Sequence, residues 1–184
     1  DTVECFEECS HEESQDLWRK VPCPPLPYRC TVAGAAALNG QVYIIGGHRS
    51  DVVLKDGARF TNGAWELIAP MSVPRDGCGV AALGGFVYAV GGKPSPNDGN
   101  VVKHHTVERY DPTTNSWSAV ADLSPTGRSH LCLVALNGKL YALGGRKDDF
   151  GGDGSDLSDV ERYDPVLNTW TNVAHMLQPR ACAA

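Results

Sequence analysis

The chain has 184 residues, a net charge of −6 and an apolar fraction of 42%. That balance argues against nucleic acid as the main partner, because no basic cluster with interleaved aromatic residues is present. No apolar run is long enough to cross a membrane, and no signal peptide opens a chain that starts inside a repeated pattern; the apolar fraction is ample for a packed core.

In chain order, residues 1–28 read as a hairpin with a long acidic loop. Val3-Glu4-Cys5-Phe6 matches the later Val107-Glu108-Arg109-Tyr110, and Trp18 stands before Arg29 at the interval that separates Trp117 from Arg128. Next come three copies of one pattern, at a period of roughly fifty residues. The first, over 29–74, passes from the small residues Ala33-Gly34-Ala35-Ala36-Ala37 through Asn39-Gly40 to Val42-Tyr43-Ile44-Ile45, Gly46-Gly47 and Trp65. The second, over 75–127, contains Gly84-Gly85, Val87-Tyr88-Ala89-Val90, Gly91-Gly92, Tyr110 and Trp117. The third, over 128–179, contains Asn137-Gly138, Leu140-Tyr141-Ala142-Leu143, Gly144-Gly145, Tyr163 and Trp170. Residues 180–184 restart the pattern with Arg180-Ala181-Cys182.

Asn-Gly or Gly-Gly between two apolar runs favours a type I′ hairpin, in which both central residues take positive φ. Each copy therefore predicts two antiparallel strands joined by a two-residue turn. The first strand, rich in small residues, suits a crowded centre, and the second is bulkier, as buried strands tend to be. Val107-Glu108-Arg109-Tyr110 and Val160-Glu161-Arg162-Tyr163 alternate like a half-buried third strand. Asp111-Pro112 and Asp164-Pro165 then set a turn, and the tryptophan opens an outer fourth strand.

The glycine pair, turn and tryptophan repeated in register resemble the kelch repeat, in which each copy is one four-stranded blade of a β-propeller. The resemblance implies an all-β arc: three complete blades plus two partial ones of a six-bladed propeller, with the remaining blades as its neighbours. Ala58-Arg59-Phe60-Thr61-Asn62-Gly63 departs from the usual third-strand and turn residues.

The seven cysteines cannot all pair within the chain. Cys30, Cys78, Cys132 and Cys182 follow the repeat arginines and read as small buried apolar residues in a reducing compartment, with redox or electrophile sensing as the alternative. Cys5, Cys9, His11 and Cys23 lack a paired metal spacing and read as a solvated hairpin. Asp148, Asp149, Asp153 and Asp156 lack the closing glutamate of a calcium loop and read as a polar loop. Galactose oxidase also carries kelch repeats, but Tyr43, Tyr88, Tyr110, Tyr141 and Tyr163 occupy repeat positions, and no nucleophile elbow, P-loop or dinucleotide fingerprint occurs. The expectation is a non-enzymatic module without metal or cofactor.

Partner binding falls on the variable loops that follow the glycine pairs. The candidates there are His48, Arg49, Lys93, Asn97, His104, Arg146 and Asp149. Arg29, Arg75, Arg128 and Arg180 are expected to converge on one mouth of the central channel; the alternative is that they hydrogen-bond neighbouring loop carbonyls. In kelch adaptors of cullin ubiquitin ligases, arginines at this repeat position contact acidic peptide segments of the substrate, and the resemblance implies that role here. The alternative that the resemblance implies is an actin-filament scaffold of the kelch or scruin type. Either reading expects a protein partner and a cytoplasmic place, cytoskeletal in the second case.

Overall fold

The structure, a computed structural model, describes residues 4–6, 18–20, 24–95, 102–125, 127–147 and 156–182. The candidates Asn97 and Asp149 lie outside the described residues, as do Cys9, His11, Cys23, Asp148 and Asp153.

Two short strands come first, β1 (Glu4–Phe6) and β2 (Trp18–Lys20), paired antiparallel with Phe6 opposite Trp18. The first blade is β3 (Gly34–Leu38) and β4 (Gln41–Ile45), then β7 (Gly57–Thr61) and β8 (Ala64–Ile68). The small hairpin of β5 (His48–Arg49) and β6 (Val52–Val53) is inserted in its loop. The second blade is β9 (Gly79–Leu83), β10 (Phe86–Val90), β11 (Val107–Asp111) and β12 (Ser116–Val120). The third is β13 (Cys132–Leu136), β14 (Lys139–Leu143), β15 (Val160–Asp164) and β16 (Thr169–Asn172). Each blade is a four-stranded antiparallel meander in chain order. Among the described residues no helix is long and apolar enough to cross a membrane.

The turn chemistry accounts for the meander. Asn39 and Gly40, Gly84 and Gly85, and Asn137 and Gly138 all have positive φ, as a type I′ turn requires. At the next turn Asp111 Oδ1 accepts the Thr113 N–H at 2.8 Å, and Asp164 Oδ1 accepts the Val166 N–H at 3.0 Å. These carboxylates hold the Asp-Pro turns closed from within. In every outer pair an aromatic residue faces the tryptophan: Phe60 opposite Trp65, Tyr110 opposite Trp117, Tyr163 opposite Trp170. Phe6 opposite Trp18 repeats that register.

Two apolar clusters fill the seams between blades. Tyr43, Ile45, Met71, Val80, Val87 and Tyr110 pack between the first and second; Tyr88, Val90, Leu123, Leu133, Leu140 and Tyr163 pack between the second and third. Inner strands approach closely there. A Cβ on Gly79 would stand 2.9 Å from Leu133 Cβ, so a larger residue would force the blades apart.

Polar groups stitch the same seams. Trp117 Nε1 donates to the Ala69 carbonyl at 2.8 Å, while Asn115 Oδ1 accepts the Ala69 N–H at 2.9 Å and the Tyr110 hydroxyl at 2.8 Å. The next seam repeats this with Trp170, Ala121, Asn168 and Tyr163. Trp117→Phe should therefore cost about 1 kcal/mol from the lost hydrogen bond. Trp117→Ala should cost about 3–5 kcal/mol in urea unfolding; equal losses for the two would contradict a packing role for the ring.

Candidate functional site at the loop end of the blades

Because the strands alternate in direction, the hairpin turns lie at one end of the blades, and the loops after the glycine pairs and the linkers between blades lie at the other. The sequence places its binding candidates at this loop end. Several are not on its surface.

Arg75 is 0% exposed and Arg128 2% exposed. Arg75 Nη2 donates to Glu108 Oε1 at 2.9 Å and to the Thr106 hydroxyl at 2.9 Å, while Nη1 reaches the Gly91 and Thr106 carbonyls at 2.7 and 2.9 Å. Arg128 repeats the arrangement with Glu161 and the Gly144 and Asp159 carbonyls. The expected convergence of these guanidinium groups on the channel mouth is corrected. A buried charge needs a counter-charge, which Glu108 and Glu161 on the third strands supply, while Arg128 Nε stays without a hydrogen-bond partner.

The backbones of the same residues belong to the preceding blades. Gly47 N–H donates to the Arg75 carbonyl at 2.8 Å, Gly92 N–H to that of Arg128 at 2.9 Å, and Gly145 N–H to that of Arg180 at 2.8 Å. Here lies the reason for the glycine pairs. Gly46 and Gly47 both have positive φ, and a Cβ on Gly46 would collide with the Arg75 carbonyl oxygen. The glutamates add a further stitch, since Glu108 Oε2 accepts the Ser72 N–H at 2.8 Å and Glu161 Oε2 the Ser124 N–H at 2.9 Å.

Arg29 does not occupy this position. A chain of backbone hydrogen bonds runs from Cys182 N–H to the His130 carbonyl, from His130 N–H to that of Gly77, and from Gly77 N–H to that of Val32. All four residues have positive φ. Counting two residues back from each aligns Cys30, not Arg29, with Arg75, Arg128 and Arg180. The glutamate partner is also missing, since buried Ala58 stands where Glu108 and Glu161 stand in the other blades. The Tyr28 hydroxyl reaches toward the Ile44 and Asp56 carbonyls at 3.3 and 3.4 Å, and burial, followed by the nearby Cys30 and Asp56, raises its pKa. Arg29 itself is exposed, as is Arg180.

Lys93 is also inside, 6% exposed with its Nζ 3.6 Å from Asp76 Oδ2. The other oxygen of this buried carboxylate accepts from His48 Nδ1 at 2.8 Å, and His48 Nε2 faces the Thr31 hydroxyl at 3.0 Å. This cluster bridges the first two blades. His104 Nε2 lies 3.1 Å from the Pro74 carbonyl, and burial, then Arg75, lowers its pKa. Of the candidates, Arg29, Arg49 and Arg180 are exposed, and His48, His104 and Arg146 are partly so; Arg146 Nε donates to Asp156 Oδ1 at 2.7 Å. Beside them a recess of about 430 Å³ opens among Val32, Ala33, Gly77, Cys78, His130, Leu131 and Cys182. Among the described residues no group of three metal-ligating side chains occurs.

The cysteines differ from one another. Cys78 is buried, Cys30 and Cys132 are half-buried, and Cys182 is exposed, so the expectation of four small buried residues is corrected for Cys182. Burial pushes the Cys78 thiol up to about 11.

The Kelch motif family profile matches residues 29–72, 74–124 and 127–177. Kelch-like protein 35 of Mus musculus is 34% identical over 169 residues, covering 90% of this chain and 27% of that protein. Kelch repeat and BTB domain-containing protein 13 of Homo sapiens is 30% identical over 177 residues, covering 94% of this chain and 36% of that protein. The chain thus spans about a third or less of the length of these relatives. The solved structure of YjhT is similar in fold, with a TM-score of 0.70 at 20% identity over 86% of this chain and 56% of that one.

Two tests follow from this site. Arg75→Met alone should cost about 3–5 kcal/mol by orphaning Glu108, and the double variant Arg75→Met/Glu108→Leu should recover most of that loss. Additive losses in denaturant unfolding would contradict a coupled buried pair. Thiol alkylation at pH 8 should modify Cys182 rapidly and Cys78 only on unfolding; equal rates would contradict the burial of Cys78.

Proposed function

The chain belongs to the kelch-repeat family, and on that premise we propose that it is the substrate-recruiting propeller of a BTB-kelch adaptor for a cullin ubiquitin ligase. A human relative is named for its BTB domain, and the family's repeat covers most of this chain. The observation that carries the reading is the division of labour at the loop end. Arg75, Arg128 and Lys93 are consumed inside the seams, which leaves Arg29, Arg49, Arg180 and the partly exposed Arg146 as the accessible arginines of the loop end. A fixed scaffold with variable loops is suited to protein recognition, and guanidinium groups favour carboxylate-bearing segments.

The test uses the full-length protein in cells. Partners captured by it should rise in abundance when cullin activity is blocked, and Arg49→Glu/Arg146→Glu should reduce their capture about tenfold or more while ligase association is retained. Captured partners whose levels ignore cullin activity, together with saturable pelleting on actin filaments at physiological salt, would overturn the adaptor reading.

A further inference from the structure

At the opposite end of the blades, the seam between the second and third holds a second recess, of about 300 Å³. Leu83, Phe86, Tyr88, Arg109, Pro165 and Val166 line it, and no acidic residue does. The Arg109 guanidinium carbon lies 4.2 Å from the centre of the Phe86 ring. Its Nε is buried without a hydrogen-bond partner. Arg109 also has no acidic partner among the described residues.

The equivalent seam between the first and second blades is built differently at three places. Arg59 takes the place of Arg109 and is neutralised by Glu66 on the adjacent strand at 2.9 Å. Opposite Arg109 the strand offers only Ser118. Gln41 takes the place of Phe86, accepting the Tyr43 hydroxyl at 2.8 Å and donating to Thr61 at 3.2 Å, which closes the floor with polar contacts. Thr113, tied by its hydroxyl to Asp111 at 2.7 Å, takes the place of Val166, which is 87% exposed. Together the three differences replace charge-compensated polar contacts with an apolar recess holding one cation that has no acidic partner among the described residues. Arg109 is only partly buried, so an arriving carboxylate can meet its guanidinium and supply the missing counter-charge. An apolar side chain would at the same time cover Phe86 and Val166.

We propose that this recess seats a peptide segment in which a large apolar side chain adjoins a carboxylate, the apolar group against Phe86 and Val166 and the carboxylate on Arg109. The site is separate from the loop end, so its occupation does not depend on what is bound there.

The test is fluorescence polarisation of the full-length protein with the labelled peptide Gly-Ser-Leu-Glu-Ser-Gly. Saturable binding is expected, reduced about tenfold by Arg109→Gln and lost with Phe86→Gln, which copies the residue of the first blade. Peptides with Gln for Glu, or Gly for Leu, should bind wild-type protein correspondingly more weakly, a comparison independent of how the variants fold. Arg49→Glu/Arg146→Glu should leave this binding unchanged, so that failure here is distinguishable from failure of the adaptor reading. Absence of saturable binding, or equal affinity for the Glu and Gln peptides, would overturn the proposal.

Discussion

At each of two seams an arginine stands with its backbone in one blade and its side chain in the next. The Arg75 carbonyl is held by Gly47 of the first blade, and its guanidinium by Glu108 of the second. Arg128 does the same between the second and third blades. Separating two blades at such a seam would expose an apolar cluster and also strip a buried charge of its partners. The apolar surface supplies the larger gross driving force. The charge fixes relative position, because a guanidinium filled from several sides tolerates little displacement.

The motif residues make sense as parts of this junction. The glycine pair admits the arginine carbonyl, the glutamate of the third strand takes the guanidinium and a linker amide, and the tryptophan and asparagine grip the end of the preceding outer strand. The first blade shows what happens when the junction is rebuilt: Cys30 and Ala58 replace the arginine and the glutamate together, and Tyr28 reaches toward the Asp56 carbonyl, the counterpart of those of Thr106 and Asp159. Losing both charges avoids the orphan that losing one would leave.

The strands, hairpins and outer tryptophan were legible in the sequence because they depend on local chemistry: Asn-Gly turns, Asp-Pro caps and period-two alternation. The depth of the arginines was not, since it depends on a glutamate 33 residues later in the chain. A usable signal was nevertheless present, because Arg75 and Arg128 each precede a glutamate at that same spacing, and the first repeat lacks both members. The shift from Arg29 to Cys30 was not legible because the linker preceding β3 places Cys30 one residue farther from Trp18 than Arg128 stands from Trp117. The apolar recess at the far end was illegible for a different reason. It arises from Phe86, Arg109 and Val166, which lie on three strands or turns of two blades and share no sequence pattern.

The central claim is that the arginine junction, rather than the loops around it, holds the seams in position. Native-state hydrogen exchange of the Ser72, Ser124, Gly47 and Gly92 amides tests it most directly, since these N–H groups bond to the glutamates or to the arginine carbonyls. The account predicts that they exchange only with global unfolding, as slowly as the inner-strand amides, although all four lie outside the strands. Exchange at the rate of the surrounding loops would contradict it.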